Sequence, residues 1–287
     1  KKSGFISDVS MAYNSVALKP HFFNFQRYLW QPELDPNGKI VEMVIKTLIY
    51  GVICSGGLTA IAFCLVALFA RDHHPEHSEG AEALEQAYVD DVAVPTDTLE
   101  DAKRVAKSMD FVLEMASMSV KAHTFAGEQP SERVSADGES VGLLGYTWRP
   151  VADTVSLAVK ELFFGKVVRG KLPDSVVGDT KKSLEKCFTR RTIVAKFASV
   201  FDPLGYATPI TSRIKLDLAA VTGLKLGWDD PLPPDLLDLW SSNLEDMQNL
   251  RRLRFKRSYL HPDAVDNQVE LLCLTDASAT IAVASVY

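Results

Sequence analysis

The 287-residue chain has few cysteines, and they lie far apart. Cys54, Cys64, Cys187 and Cys273 form no Cys-x-x-Cys pair, which argues against a zinc ribbon and against a disulfide-stapled scaffold. The first residues also lack a basic segment followed by a cleavable apolar stretch, so no signal peptide is predicted. These absences predict an intracellular protein with reduced thiols.

The chain also lacks a net positive charge, since its formal charge at pH 7 is −6. This argues against a uniformly basic nucleic-acid surface, but the distribution of charge matters more than the sum. Residues 71–139 carry 16 acidic and 6 basic side chains, whereas residues 151–260 carry 18 basic and 13 acidic ones. A protein with an acidic half that binds metal ions and a basic half that binds a duplex would have this distribution of charge. Chance variation in composition would also produce it.

Two adjacent carboxylates, Asp90 and Asp91, are the strongest sign of a functional site. They lie between two short apolar segments, residues 86–89 and 92–95, which predicts two brief strands that meet at an acidic turn. Adjacent carboxylates repel each other, and a bound cation relieves that repulsion. The alternative is an acidic surface turn without a function.

A third carboxylate, Asp8, lies in a strand-like run near the N-terminus. Phosphoryl transfer by two Mg²⁺ or Mn²⁺ ions needs hard oxygen ligands from at least two segments of the chain, with the ions roughly 3.5–4 Å apart. Asp8, Asp90 and Asp91 would supply that set. We therefore predict that these three residues are metal ligands.

Two sequence motifs around these carboxylates resemble those of reverse transcriptases. The hexapeptide from Asp8 to Tyr13 resembles their first catalytic motif, an aspartate followed five residues later by an aromatic that excludes ribonucleotides. Tyr88-Val89-Asp90-Asp91 resembles their YxDD box. The two motifs follow each other along the chain in the same order as in reverse transcriptases. The resemblance therefore implies an RNA-directed DNA polymerase.

Two further sites follow from the same resemblance. Gly51 and Ser55 resemble the motif that lets the backbone approach nucleotide and template, although Gly56 stands where the family usually has proline. Lys121 stands where reverse transcriptases often have a lysine that protonates or neutralises the departing pyrophosphate. An exposed surface lysine is the alternative for Lys121.

The resemblance implies templated nucleotidyl transfer, in which a primer 3′-hydroxyl attacks the α-phosphate of a dNTP on an RNA or DNA primer–template. Asp8 and Asp90 would hold the metal ions, Asp91 would support them electrostatically, and Tyr13 would check the sugar. The chain starts almost at the Asp8 strand, without the fingers of such a polymerase. We therefore expect an enzyme by descent that is incomplete in this chain, with weak or no activity alone.

Three segments resemble BEL/Pao long-terminal-repeat retrotransposons. Residues 26–30 resemble a stretch that follows the first catalytic aspartate, and residues 199–205 and 228–233 closely resemble the region after the polymerase. The resemblance implies the rest of a retrotransposon polyprotein as a partner, and a cytoplasmic particle or the nucleus as the location. The chain has no Asp-Thr-Gly or Asp-Ser-Gly triplet, so no aspartic protease is predicted.

Basic side chains in the second half are predicted to contact the nucleic-acid backbone. Some lie on an amphipathic helix predicted over about residues 180–201, and others in the cluster at residues 251–257. The predicted contacts are Lys182, Lys186, Arg190, Arg191, Arg252 and Arg254. A solvated helix face is the alternative.

Residues 270–278 form a predicted strand that contains Asp276. This strand resembles the first strand of an RNase H domain, whose opening aspartate is a metal ligand, and residues 281–287 would begin the second strand. The other ligands would lie beyond residue 287, so Asp276 would be part of an incomplete site. An ordinary strand-end aspartate is the alternative.

The run over residues 47–70 has no charged side chain and is long enough to cross a membrane. Its glycines at 51, 56 and 57 instead favour a strand, a glycine loop and a buried helix over about residues 58–69. We therefore predict no membrane contact. A single-pass membrane protein through residues 47–70 is the less favoured alternative, and partition into detergent would distinguish the two.

The predicted fold class is α+β. A reverse-transcriptase palm without fingers, an antiparallel sheet backed by helices, is predicted over residues 1–158. A basic, mostly helical thumb or connection follows at 159–262, and an RNase H-like domain begins at 268–287. Helices are predicted over about residues 97–116, 209–221 and 234–250, and strands over 141–148 and 153–157 and on either side of a turn at 35–38. A catalytically dead nucleic-acid-binding remnant is the main alternative function.

Overall fold

The computed structural model describes residues 2–31, 38–132, 134–159, 188–258, 273–277 and 282–286. The chain divides into two compact units, each described by itself below. Unit 1 consists of residues 1–139 and 150–152, and unit 2 of residues 140–149 and 153–287. Both units combine helices with small antiparallel sheets, which confirms the predicted α+β class.

The described part of unit 1 contains a three-stranded sheet, a separate strand pair and three α-helices. The elements are β1 (Ser3–Val9), β2 (Arg27–Trp30), β3 (Val41–Val44), α1 (Ser55–His73), α2 (Ser78–Glu85), β4 (Asp91–Thr96), α3 (Leu99–Met115) and β5 (Val120–Phe125). β1 is the central strand of the antiparallel sheet, between β4 and β5. β2 and β3 form the antiparallel pair, as the sequence predicted, while residues 35–37 of the predicted turn lie outside the described residues.

The helix predicted over residues 97–116 is confirmed as α3, which backs the three-stranded sheet. Its cap is Thr98, whose side chain accepts a hydrogen bond from the Asp101 amide. Apolar residues recur along it at helical spacing and pack against Phe5, Val9 and Val92 of the sheet. Burial of this stripe stabilises the core of unit 1.

The buried helix predicted over about residues 58–69 is present, but it extends beyond these bounds and is buried along one side only. α1 is longer, and it buries one stripe made of Ser55, Thr59, Phe63, Ala67 and Ala70. The larger apolar side chains between these positions are exposed: Leu58, Ile61, Leu65, Leu68 and Phe69. A helix that is apolar all round gives no periodic signal, so the sequence could not show which side faces the core.

By length and composition, α1 is the one helix among the described residues that could cross a membrane. Core helices pass the same test, so a single helix of this kind is weak evidence. α1 packs through Phe63, Ala67 and Ala70 into the core that α3 also forms. This helix does not indicate a membrane protein.

The backbones of α2 and α3 touch at Gly80. A Cβ atom at position 80 would lie 2.3 Å from the carbonyl carbon of Ser108 and 2.4 Å from the amide nitrogen of Met109. The Gly80 amide donates to the Ser108 hydroxyl at 3.2 Å, and that hydroxyl donates to the His77 carbonyl. Only glycine fits this crossing.

The described part of unit 2 contains a four-stranded sheet, a strand pair and three α-helices. The elements are β6 (Val141–Leu143), β7 (Tyr146–Arg149), β8 (Thr154–Leu157), α4 (Arg190–Ala198), α5 (Thr208–Gly223), α6 (Pro234–Asn249), β9 (Phe255–Lys256), β10 (Cys273–Ala277) and β11 (Ala282–Val286). The antiparallel sheet has the order β6-β7-β8-β9, and β10 pairs with β11. The helices predicted over 209–221 and 234–250 and the two C-terminal strands are confirmed. Of the helix predicted over residues 180–201, residues 180–187 lie outside the described residues.

The segment predicted as extended over residues 141–148 forms two strands, β6 and β7, because the chain turns back at the Leu-Gly pair of residues 144 and 145. Their φ angles are 46° and 86°. Two successive central residues with positive φ are typical of the type I′ hairpin turn. A Cβ atom at Gly145 would lie 2.3 Å from Cδ1 of Phe201, so the turn is also packed too closely for a side chain.

The core of unit 2 is formed by its three helices around Trp240, which is fully buried together with Ile193, Ile214 and Met247. Asp153 holds the β9 edge of the four-stranded sheet through its side chain, and its φ angle is 47°. Arg257 donates to both carboxylate oxygens of Asp153 at 2.7 Å, and the Trp148 indole donates at 3.0 Å. This half-buried carboxylate therefore joins the end of β7 to the residue that follows β9.

Candidate functional site

The three predicted metal ligands come from two neighbouring strands of unit 1. Asp8 of β1 and Asp91 of β4 are direct register partners, and the Val9 amide donates to the Asp90 carbonyl at 2.8 Å. Residues directly opposite each other in an antiparallel pair point to the same face, with Cβ atoms about 4.5–5.5 Å apart. The fold thus brings the two motifs together at one end of the sheet.

The acidic pair lies on a two-residue turn. The amide of Tyr88 donates to the carbonyl of Asp91 at 2.8 Å, and the amide of Asp91 donates back at 3.1 Å. Val89 has a φ of 62°, a strained conformation for a β-branched residue. The strand predicted over residues 86–89 was wrong apart from the bridge at Tyr88, because Gln86 still caps α2.

Asp8 already has a cationic partner. The Lys121 ammonium of β5 lies 3.1 and 3.2 Å from the two carboxylate oxygens of Asp8. The Asp8 side chain is 6% exposed and that of Lys121 is 46% exposed, so the ammonium reaches a buried carboxylate from the solvent side. Lys121 is therefore more than a surface lysine, because it neutralises a buried charge.

Within the described residues, no group of three or more His, Cys, Asp or Glu side chains is placed to hold a metal ion. Asp8 and Asp91 nevertheless lie opposite each other, with Asp90 next along the chain. The ligand roles of these residues remain predictions.

The predicted nucleotide-binding residues also come together. The rings of Tyr13 and Tyr50 pack edge to face with centroids 4.5 Å apart, and a Cβ atom at Gly56 would lie 3.6 Å from the Tyr13 hydroxyl. Ser55 is buried, and its hydroxyl donates to the Ile49 carbonyl at 2.8 Å. Ser55 thus fixes the loop before α1 rather than presenting a free hydroxyl, and Gly51 lies exposed in that loop with a φ of 89°.

A polar chain beside Asp8 was missed by the sequence reasoning. The Ser7 hydroxyl lies 2.6 Å from Nδ1 of His123, and Nε2 of His123 lies 3.1 Å from both carboxylate oxygens of Asp110. His123, Asp110, Glu114 and Lys121 line an open cleft of about 280 Å³. These hydrogen bonds fix β1, α3 and β5 relative to one another next to Asp8. The one feature of the sequence that pointed to them was His123, two residues after Lys121.

The predicted backbone contacts of unit 2 fall in two places. Arg190 and Arg191 begin α4, where both guanidinium groups lie over the ring of Trp228. Arg252 and Arg254 are exposed in the segment between α6 and β9. Lys182 and Lys186 lie outside the described residues.

Asp276 lies in β10, where its register partner is Val283 of β11. The strand pair confirms the local structure predicted for the start of an RNase H-like fold. The ligand role of Asp276 remains a prediction.

The segment that resembles BEL/Pao elements at residues 199–205 is anchored to the hairpin through Tyr146. The Tyr146 hydroxyl donates to Oδ1 of Asp202 at 2.7 Å and accepts from the Leu204 amide at 2.8 Å. The Asp202 carboxylate also accepts from the amides of Tyr206 and Ala207. Burial, together with the Asp202 carboxylate, raises the pKa of Tyr146 well above its usual range.

We expect Tyr146→Phe to lower the free energy of unfolding by about 1.5–3 kcal/mol, because it removes a hydrogen bond to a charged group and leaves the Leu204 amide unpaired. The pKa of Tyr146 is higher in the folded than in the unfolded chain. Its contribution is therefore fully present below pH about 10 and falls as the pH rises above that value. Urea unfolding at pH 8 and above pH 10 measures both effects. An equal difference between the two proteins at both pH values would contradict the predicted pH dependence.

Two comparisons with known proteins bear on the chain. Residues 189–287 match the family model of the Pao retrotransposon-like RNaseH-like domain. The match covers α4 to α6 and the strands β9 to β11. A comparison with curated proteins gives no match.

Proposed function

We propose that this chain, in which residues 189–287 are a Pao/BEL retrotransposon polyprotein region, carries in unit 1 the palm of an RNA-directed DNA polymerase. The observation that supports this function is the pairing of Asp8 with Asp91 in adjacent strands, with Asp90 at the turn. In this proposal unit 2 supplies a thumb or connection and the start of an RNase H-like domain. The partners are an RNA or DNA primer–template, a dNTP and the rest of the polyprotein.

The chemistry of the donor set fits Mg²⁺ or Mn²⁺. Mg²⁺ prefers carboxylate oxygens, and Asp8, Asp90 and Asp91 provide them from two segments. The Lys121 ammonium lies 3.1 Å from Asp8, which supports the proposal that this buried carboxylate attracts a cation. When bound, the metal would neutralise charge on the reacting phosphate.

Two side chains of the protein would select the nucleotide and assist the leaving group. Tyr13, fixed against Tyr50 and next to Gly56, would exclude a 2′-hydroxyl from the nucleotide site. Lys121, once its ammonium leaves Asp8, would neutralise or protonate the departing pyrophosphate.

A nucleic-acid-binding remnant without catalysis is the second candidate. The ion pair between Asp8 and Lys121 favours it, because Asp8 is neutralised without a metal. So does the lack of a three-ligand cluster among the described residues.

Mn²⁺ binding to the chain, measured by electron paramagnetic resonance, separates the two candidates. We expect Asp8→Asn to weaken Mn²⁺ binding at least about tenfold. Lys121→Gln should strengthen it about fivefold, because a competing cation worth about 1 kcal/mol is removed. Asp72→Asn, at an exposed position of α1, is the matched control and should change nothing. Mn²⁺ binding that Asp8→Asn leaves intact would contradict the polymerase proposal and favour the remnant.

A further inference from the structure

An exposed tryptophan of unit 2 lies against two arginines. The guanidinium carbon of Arg190 lies 4.7 Å from the centroid of the Trp228 ring, and that of Arg191 lies 5.8 Å from it. The Arg191 amide donates to the Trp228 carbonyl at 2.9 Å, which fixes the backbone of the tryptophan against the start of α4. The tryptophan still exposes 49% of its surface. We call Arg190, Arg191, Trp228 and Asp229 the Trp228 cluster.

The two arginines differ in their partners. Arg191 makes a bidentate pair with Asp229 at 2.7 and 2.9 Å, which raises the pKa of Arg191 and lowers that of Asp229. Besides its contact with the Trp228 ring, Arg190 makes one long hydrogen bond among the described residues, 3.5 Å from Nη1 to the Leu226 carbonyl, and its buried Nε finds no acceptor there. Arg191 is therefore a neutralised support, whereas Arg190 keeps its charge and most of its donors for an external acceptor.

The acidic neighbours of the cluster are already engaged. Asp229 binds Arg191, and the carboxylate of Asp230 accepts from the Gly227 amide at 2.7 Å to close the turn before the tryptophan. Asp229 is thus neutralised by Arg191, whereas Asp230 keeps its negative charge because its partner is a neutral amide. Two guanidinium groups and one carboxylate leave the Trp228 cluster with one net positive charge beside an aromatic surface.

These two properties match one kind of ligand. Aromatic side chains bind single strands because every base has a face to stack, whereas the bases of a duplex are already stacked on each other. A guanidinium beside the ring can bind the phosphate that follows the stacked base. An acidic peptide would use the guanidinium but would have no use for the indole.

We propose that the Trp228 cluster binds single-stranded nucleic acid, with a base stacked on the indole of Trp228 and a phosphate at Arg190. This site deepens the proposed nucleic-acid role of unit 2 and lies outside the carboxylates of unit 1. It would hold an unpaired template or product strand.

The test is fluorescence anisotropy with fluorescein-labelled dT20, with a 20-base-pair duplex as the second probe, in EDTA so that the carboxylates of unit 1 bind no metal. We expect Trp228→Ala to weaken dT20 binding about tenfold, within the range for loss of one stacked base. Trp228→Phe should retain most of the affinity, and duplex binding should change less than twofold. Arg190→Gln should weaken dT20 binding and reduce the slope of log K against log salt concentration by about 0.7.

Leu224→Ala is the matched control, because it removes another exposed apolar side chain from the same connection between α5 and α6. It should leave dT20 binding unchanged. Equal dT20 binding by Trp228→Ala and the unaltered chain would overturn the proposal, and so would equal losses in Leu224→Ala. Loss of binding to polyglutamate with unchanged dT20 binding would assign the cluster to an acidic peptide instead. The polymerase proposal depends on Asp8 and Mn²⁺, so either can fail without the other.

Discussion

Primer extension is expected to fall at least about a hundredfold when Asp90 is replaced by asparagine. Loss of a metal ligand removes several kcal/mol of transition-state stabilisation, and each 1.36 kcal/mol is a factor of ten. The replacement is clean, because no hydrogen bond or ion pair of the Asp90 carboxylate is found among the described residues, and the carbonyl that accepts from Val9 is kept. The effect on activity should therefore come without a loss of folding.

The measurement compares Mg²⁺- and Mn²⁺-dependent synthesis on a poly-rA template with an oligo-dT primer. It uses the 287-residue chain and its Asp90→Asn form side by side. Asp72→Asn, an acid-to-amide change at an exposed site, should keep full activity. A chain that binds primer–template but does not synthesise, or an Asp90→Asn form that still does, would rule out the catalytic interpretation.

The largest effect on stability is expected from Gly80→Ala, which should lower the free energy of unfolding by about 3 kcal/mol or more. The added methyl group would meet backbone atoms of α3 at 2.3–2.4 Å, and a backbone cannot rotate away as a side chain can. The two helices would have to separate, which would also stretch the hydrogen bond from the Gly80 amide to Ser108. Urea denaturation of the whole chain measures the change.

Gly57→Ala provides the control for Gly80→Ala. Gly57 also lies in a helix, but nothing is within 4 Å of a Cβ atom there. Alanine in a helix is about 0.5–1 kcal/mol more favourable than glycine, so this variant should be neutral or slightly stabilised. If both variants unfold at the same urea concentration, the close crossing of α2 and α3 does not determine the stability of unit 1.

The sequence could predict the parts of the candidate site that depend on local pattern. Asp8 lies near the end of a strand, and Asp90 lies on a turn that leads into a strand. The proximity of Tyr13 to the loop before α1 also agrees with the order of the motifs. These features need only strand period, turn chemistry and a known order of motifs.

The rest of the site depends on contacts that no local pattern encodes. Lys121 meets Asp8 because β5 lies on the other side of β1, with an irregular register between Ser7 and Val9. The hydrogen bonds of His123 to Ser7 and Asp110 join residues that are 116 and 13 positions apart. A cross-strand register with such an irregularity cannot be deduced from spacing along one strand.

The turn at Leu144 departs from the usual turn chemistry. The usual signal for a type I′ hairpin is Asn-Gly or Asp-Gly, and leucine is rare with a positive φ. Here the hydroxyl of Tyr146 and the ring of Phe201 hold the turn from outside. Such tertiary support allowed a leucine where local propensity predicts a straight strand.

The anchor between Asp153 and Arg257 sets an order of events during synthesis on the ribosome. The two residues are 104 positions apart, and β9 ends one residue before Arg257. At about 5–20 residues per second, β7 and β8 would emerge roughly 5–20 s before the strand that completes their sheet. For that time Asp153 has no guanidinium partner and β8 presents an open edge, which is the interval in which a nascent chain of this kind most needs a chaperone.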